Sequence, residues 1–439
     1  MGVVPNYSPF LMGTNTGTER ATDSGAAAAA PSSRVFWTYW GAGTVSSVGS
    51  AVTSVALPLT AVVVLHASAL EVGLLAAASY AAWLVIGLPA GVVVGRLPLR
   101  GTQLAMDLVR AVAVATVPVA WGLDALTLGH LVAVALAVSF ASVLFEVGNM
   151  SFLPALVPKA ELTSRNSLMS GTHATVQLGG PALGGVLVQA LGAVPTLLVD
   201  AGSYLVSAVL IRRLPDRRVP VPPEPGSMRS MIRDGWHFVV RHPVMGPCMW
   251  EATAVNFVCG ALIALSPVYL VRELGAPAGL VGLLIASEGI GSLLGAALAP
   301  RLTRQVGSGR VTLLSGLAGA GAALLLPVGT GAAGMVAFAC GNAGFAAGVV
   351  VGSITTRTLR QRVTPPELLT RVMATVRFVS WGAIPFGALA AGVLASATGV
   401  RTALWCTAVA TFVPVLILWT SPVRGLRDLE GESSGQRSR

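Results

Sequence analysis

Charged side chains are scarce in this chain of 439 residues: Asp, Glu, Lys and Arg together make up 10%, where an ordinary globular protein carries about 25%. With 54% hydrophobic residues and a mean hydropathy of +0.75, the composition excludes an ordinary water-soluble domain and points to a polytopic membrane protein. Cysteine is also sparse. Cys248, Cys259, Cys340 and Cys406 have neither disulfide-framework nor metal-ligand spacing, and read as small buried apolar residues. No phosphate-cradling Walker sequence occurs, which disfavours an ATP-driven pump, and neither a zinc signature nor an Asp-rich diphosphate motif occurs. The expectation is a non-enzymatic protein with no cofactor and no metal.

Long apolar runs are what the chain has in abundance. A bilayer crossing needs about 20 residues, and twelve candidates can be drawn: 37–64, 72–95, 102–122, 129–150, 168–190, 194–211, 245–270, 279–300, 311–328, 332–354, 372–396 and 401–420. The net charge of +10 could suggest nucleic acid, but its distribution argues otherwise. Arginines crowd the even-numbered gaps and the tails, whereas the odd-numbered gaps hold only Arg272 and Arg401. This asymmetry predicts both termini on the cytoplasmic side of the membrane. Residues 1–34 read as a disordered cytoplasmic tail without a cleavable signal peptide, and 421–439 as a second tail.

The boundary between two six-span units, 35–212 and 245–420, falls in the loop 213–244. Pro215, Pro220, Pro222, Pro223 and Pro225 open it. Met228, Met231, Ile232, Trp236 and Val239 then share one helical stripe, with Arg229, Arg233 and Arg241 elsewhere. That pattern predicts an amphipathic helix on the inner membrane surface. The units echo each other. Residues 157–165 read VPKAELTSR and 363–371 read VTPPELLTR, each followed by Pro among small residues: Gly180, Pro181, Gly184 and Gly185 in one, Pro385 and Gly387 in the other. Small residues four apart recur as Gly87, Gly91, Gly95 in span 2, Ser287, Gly291, Gly295, Ala299 in span 8, and Gly344, Gly348, Gly352 in span 10. Such ridges let helices approach closely. Span 1 has no ionisable residue but a Gly/Ser/Thr-rich face, suited either to close packing or to a polar cavity. Most tryptophans and tyrosines near span ends, among them Trp37, Tyr39, Trp40, Trp381 and Trp419, fit an interfacial belt.

The turn GVVVGRLPLRG at 91–101 resembles the loop between spans 2 and 3 of the major facilitator superfamily, with Gly91, Arg96 and Arg100 in place and Gly95 where the family has Asp. GPALGG at 180–185 resembles the span-5 signature of drug/proton exporters in that superfamily, and the chain from about 35 to 427 resembles its bacterial macrolide-efflux and enterobactin-exporter-like branch. The resemblance implies an all-α membrane protein of twelve transmembrane helices in two six-helix bundles, the major facilitator fold. It also implies cargo bound between the bundles and a monomer in the lipid bilayer. Glu146, at the inner end of span 4, would serve as the acidic partner of Arg96 or Arg100. Pro181 and Pro385 with their glycines would supply sliding contacts between bundles.

Acids inside spans are costly and are functional candidates by default. Glu288 lies near the middle of span 8, Glu251 two turns into span 7 and Asp200 within span 6. Each could carry a proton or meet cationic cargo, or be a paired structural acid. His173 in span 5 is either a packing residue or a titrating one. Asp107 and Arg110, three apart on one face of span 3, suit an internal ion pair or part of the gate cluster. Arg377 in span 11 could close the inner face with an acid or bind an anion. The expected function is proton-coupled export of a hydrophobic or amphiphilic small molecule such as an antibiotic, secondary metabolite or siderophore. An uptake symporter of the same fold is the alternative, with a membrane receptor or enzyme behind it.

Overall fold

The computed structural model describes residues 33–429 apart from 88, 96, 159, 160 and 217–227. In lipid every backbone polar group must be satisfied within the segment, and a chain of long apolar runs meets that demand as helices. The helices are Ser33–Leu59 (α1), Ala69–Ile86 (α2), Ala90–Gly95 (α3), Leu99–Gly122 (α4), Leu128–Leu156 (α5), Leu162–Leu191 (α6), Ala193–Arg212 (α7), Met228–Arg241 (α8), Met245–Val268 (α9), Ala278–Val306 (α10), Ser308–Ala323 (α11), Gly331–Val363 (α12), Pro366–Thr398 (α13), Val400–Ala410 (α14) and Phe412–Trp419 (α15). Among the described residues, eleven helical stretches are long and apolar enough to cross a membrane. The remaining predicted span, 311–328, is the 16-residue α11 continued by turn residues.

Some boundaries differ from the sequence reading. Span 2 was expected as one helix over 72–95; α2 stops at Ile86, and Pro89, which cannot donate a backbone hydrogen bond, precedes the short α3. The Gly87, Gly91, Gly95 ridge is therefore not continuous. The last turns of α1 and α9 widen into π-helices, Thr60–Val64 and Tyr269–Glu273, each followed by a residue of positive φ, His66 and Gly275. This second echo of the repeat has no counterpart in residue identity. Cys248 is buried as expected, but Cys340 and Cys406 are exposed on their helices. Tyr39 is buried against Phe152, with ring centroids 5.4 Å apart, and belongs to a core instead of an aromatic belt.

The helices pack as two six-helix bundles, the first through α1–α7, α4–α7, α4–α5, α1–α6 and α2–α5, the second through α9–α13, α10–α12 and α11–α12. Two pairs carry most of the contact between bundles, α2 with α13 and α6 with α10. The amphipathic α8 rests on α13 and α9: Gly235 abuts the Arg371 carbonyl, and Asp234 meets Arg371 at 3.4 Å. The prolines at 220, 222, 223 and 225 lie outside the described residues.

The apolar core is organised by membrane face. On the face away from α8, one cluster runs through both bundles, with Val55, Leu59, Val72 and Leu75 from one and Val258, Leu265, Val281, Leu284 and Ala391 from the other. On the α8 face the core divides. Phe36, Leu99, Phe152 and Ile211 form a cluster within the first bundle, and Val239, Met245, Leu359, Val372 and Leu418 form another within the second.

Candidate functional site

Close approach of backbone on the far face depends on residues without bulk. A side chain at Gly185 would meet the Gly279 carbonyl and Gly282 Cα, both at 2.8 Å, and one at Gly282 would collide with the Pro181 carbonyl, so α6 and α10 cross here almost backbone to backbone. A Cβ at Gly73 would likewise lie 2.7 Å from the Ala388 carbonyl, and one at Gly392 3.0 Å from that of Ala69. Arg272 donates to the Ala67 carbonyl across the same seam at 2.6 Å. The Gly–Pro segments divide between two duties. Pro181 and Gly185 face the other bundle, whereas Gly180 and Gly184 admit Ala51 and Val52 of α1, and Gly387, two residues beyond Pro385, admits the Phe257 carbonyl of α9.

In the α8-side half the bundles meet through different chemistry. Glu146 of α5 accepts from Arg377 of α13 at 2.6 Å. The Arg377 guanidinium lies over the rings of Trp83 and Trp381 at 4.2 and 4.4 Å, and the two indoles meet edge to face at 5.1 Å. Both charged side chains remain partly exposed, 43% for Glu146 and 29% for Arg377. An ion pair this open contributes about 0.2–1 kcal/mol, and each cation–π contact about 0.5–2 kcal/mol. The contact between bundles on this side is therefore held by individually weak interactions.

The expected pairing of Glu146 with Arg100 is not made. Arg100 donates to the Leu214 carbonyl at 3.0 Å and lies 3.7 Å from Asp216, because the end of α7 packs beside the turn that holds it. Arg96 lies outside the described residues. Trp381 packs against Trp83 and Arg377 at the contact between bundles instead of in a belt, and Trp83 carried no spacing signal at all.

Glu288 projects from α10 between two packed faces. Ser287, Gly291 and Gly295 are buried, the two glycines against α12, while Gly282 and Gly289 press on α6. Glu288 lies between these faces, exposed, and interacts electrostatically with Tyr80 of α2 and Cys259 of α9. It therefore stands where both bundles contribute side chains. Glu251 lies elsewhere. It borders a pocket inside the second bundle, lined by Thr312, Ser315, Phe345, Gly348 and Thr411, and the positive charge of Arg360 of α12 acts on it. The Gly352 ridge residue makes room for it, with a Cβ there 3.9 Å from Glu251 Oε1. His173 is exposed on α6.

Asp107, Arg110 and Asp200 come together in the interior of the first bundle. Arg110 donates to Asp107 Oδ1, and its guanidinium is covered by Phe145 at 4.1 Å and Tyr204 at 4.4 Å. Asp200 and Asp107 are fully buried. The Gly/Ser face of α1 serves this cluster: Ser50 and Tyr204 hydroxyls are 2.9 Å apart, and any side chain at Gly49 would strike Ser203 and Asp200. Asp107 and Arg110 are thus interior residues, not members of the contact between bundles. Tyr204, one turn from Asp200, could have been found by its i,i+4 spacing.

Comparisons with known proteins agree with this architecture. The family model described as transmembrane secretion effector matches residues 26–437. The multidrug efflux pump Tap of Mycolicibacterium fortuitum is 28% identical over 387 residues, covering 84% of this chain and 90% of its own. The MFS-type transporter YfiS of Bacillus subtilis (strain 168) is 29% identical over 373 residues, covering 82% and 86%. In fold, the nucleoside transporter NupG superposes with a TM-score of 0.73 at 11% identity, covering 88% of this chain and 98% of its own. A bacterial homologue of the iron transporter ferroportin, in an inward-facing state, does so with a TM-score of 0.69 at 16% identity over 88% and 98%. Twelve spans in two bundles, glycine-lined crossings between them and a match over nearly the whole length place the chain in the transmembrane secretion effector family of major facilitator transporters.

Proposed function

We propose that the protein exports a hydrophobic or amphiphilic small molecule across the bacterial cytoplasmic membrane in exchange for protons, by alternating access. The observation that carries this reading is the difference between the two faces: one shared apolar core away from α8, two separate cores beside it. The arginine-rich gaps favour the cytoplasm for the α8 face. The α8 half, where the cores are separate, is then the cytoplasmic side at which an exporter loads, and Glu146, Arg377, Trp83 and Trp381, in contact here, form the weak gate that must part to admit cargo. The name of the relative Tap, an efflux pump, supports the outward direction.

Glu288 is the residue best placed to meet cationic cargo or an exchanged proton, because it stands between the bundles with Tyr80 beside it. Glu251 is a second candidate for the proton, reached from the pocket inside its own bundle. Reconstitution into vesicles with an imposed pH gradient tests the reading, with a lipophilic cationic dye as probe. Glu288→Gln should abolish gradient-driven dye movement by tenfold or more, the effect of losing about 1.4 kcal/mol. Undiminished, gradient-dependent transport in Glu251→Gln, Glu288→Gln and the double variant would remove both acids from the mechanism. Dye movement in the opposite direction would identify an uptake symporter.

A further inference from the structure

The helix α8 has two unlike sides. One is seated on the second bundle: Gly235 abuts the Arg371 carbonyl of α13, Val239 is fully buried, and Asp234 meets Arg371 at 3.4 Å. The other is exposed. Arg233, His237 and Arg241, spaced four apart, form one exposed row, and Trp236 and Val240 form the exposed row beside it. The apolar row continues onto α9, because the Trp236 and Trp250 indoles meet edge to face with ring centroids 6.3 Å apart. Trp250 is itself exposed and lies in the second turn of α9, a spanning helix.

The charge on this exposed face is left largely uncompensated by the protein. Asp234 is the only acid in α8; one of its oxygens serves Arg371, and the other stays 3.9 Å from Arg233, whose side chain is 71% exposed. Among the described residues Arg241 has no acidic partner. A soluble acidic partner would match the arginines and leave the indoles unused. An anionic phospholipid matches both, since indoles favour the headgroup level of a bilayer, and arginines on an amphipathic helix lying in that interface attract anionic lipid.

We propose that the exposed face of α8, together with Trp250, is a binding site for an anionic phospholipid of the leaflet on which α8 rests. Arg233 and Arg241 flank His237 by about one turn, roughly 6 Å, on each side. A phosphodiester placed over His237 is thus within reach of both guanidinium groups, while Trp236 and Trp250 pack against the glycerol and the upper acyl chains. The lipid holds α8 from outside, and Gly235 and Asp234 hold it to α13, the helix that carries Arg377. The inference stands apart from the export reading, since its test needs neither cargo nor a pH gradient.

Native mass spectrometry of the purified full-length protein in non-ionic detergent, titrated with phosphatidylglycerol and separately with phosphatidylcholine, provides the test. Wild type should take up its first phosphatidylglycerol in clear preference to phosphatidylcholine. The double variant Arg233→Gln/Arg241→Gln should bind that lipid on the order of tenfold or more weakly, each arginine near a membrane surface being worth about fivefold. Its Tm without added lipid should stay at the wild-type value, since neither arginine supports the packing of α8. Trp236→Ala should weaken both lipids. Arg301→Gln/Arg304→Gln, an exposed pair at the end of α10, is the control and should leave phosphatidylglycerol binding unchanged. Equal binding by wild type and the Arg233/Arg241 variant, or an equal loss in the control pair, would overturn the proposal. Displacement of the lipid by inorganic phosphate or by a soluble acidic peptide at matched concentration would overturn it as well, assigning the face to a free anion or to a protein.

Discussion

Arg377 holds a carboxylate and two indoles at once, and no single feature of its surroundings in sequence announces this. Its span and its inner position pointed to an acid as partner; the identity of that acid did not follow, because Glu146 lies 231 residues away in the chain. Lysine at this position would keep the charge but lose the planar stacking on Trp83 and Trp381. Arg377→Lys should therefore weaken gate closure more than the loss of the exposed ion pair alone. A double-mutant cycle of Glu146→Gln with Arg377→Gln, read by Tm, should give a coupling of about 0.2–1 kcal/mol. A coupling near zero would assign the closure to the indoles. In the first bundle, Gly49→Ala should destabilise by about 1–3 kcal/mol, as overpacking does, because a methyl group there has Ser203 and Asp200 in its way. The corresponding change at Gly43, where a Cβ meets nothing within 4 Å, serves as the control and should leave Tm nearly unchanged. The intramembrane acids were legible by type, since each stands out in an apolar run. Their surroundings were not, because which side of a helix faces the other bundle depends on contacts that only the assembled bundles set.

Between elements, the small-residue ridges were the most informative feature of the sequence, and they divide by partner once the helices are packed. Gly291 and Gly295 seat α10 on α12 within one bundle, while Gly282, on another side of the same helix, seats it on α6 of the other bundle. A branched side chain at either kind of position forces helices apart, but with different consequences. Gly291→Val should lower Tm by an overpacking cost of about 1–3 kcal/mol. Gly282→Val should instead disturb the far-face seam, raising the labelling rate of a cysteine placed at Gln189, whose side chain accepts from the Gly279 amide at 3.1 Å across that seam. Equal effects of both substitutions on Tm and on labelling would mean that the two ridges are not functionally distinct. The break in span 2 was readable in principle from Pro89, but the apolar run on both sides outweighed it. The π-turns that end α1 and α9 could not have been read, since TAVVV and YLVRE share no pattern that distinguishes them from ordinary helix.

At the scale of the molecule, charge asymmetry, span count and the VPKAEL/VTPPEL repeat indicated a duplicated polytopic membrane protein, and the resemblance to the major facilitator superfamily supplied the fold. They are properties of long stretches and survive errors at single residues. The state of the two faces emerges only from packing: a core continuous through both bundles on one face, and on the other two cores joined through Glu146, Arg377, Trp83 and Trp381. That division underlies the proposal of an exporter loading from the cytoplasm. The most direct test is dye transport in everted membrane vesicles, whose exposed surface is the cytoplasmic one, with the lumen made acidic. The account predicts accumulation of a lipophilic cationic dye in the lumen, abolished when the pH gradient is collapsed and reduced tenfold or more by Glu288→Gln. Accumulation that persists without the gradient, or loss of dye from the lumen when the gradient is imposed, would contradict it.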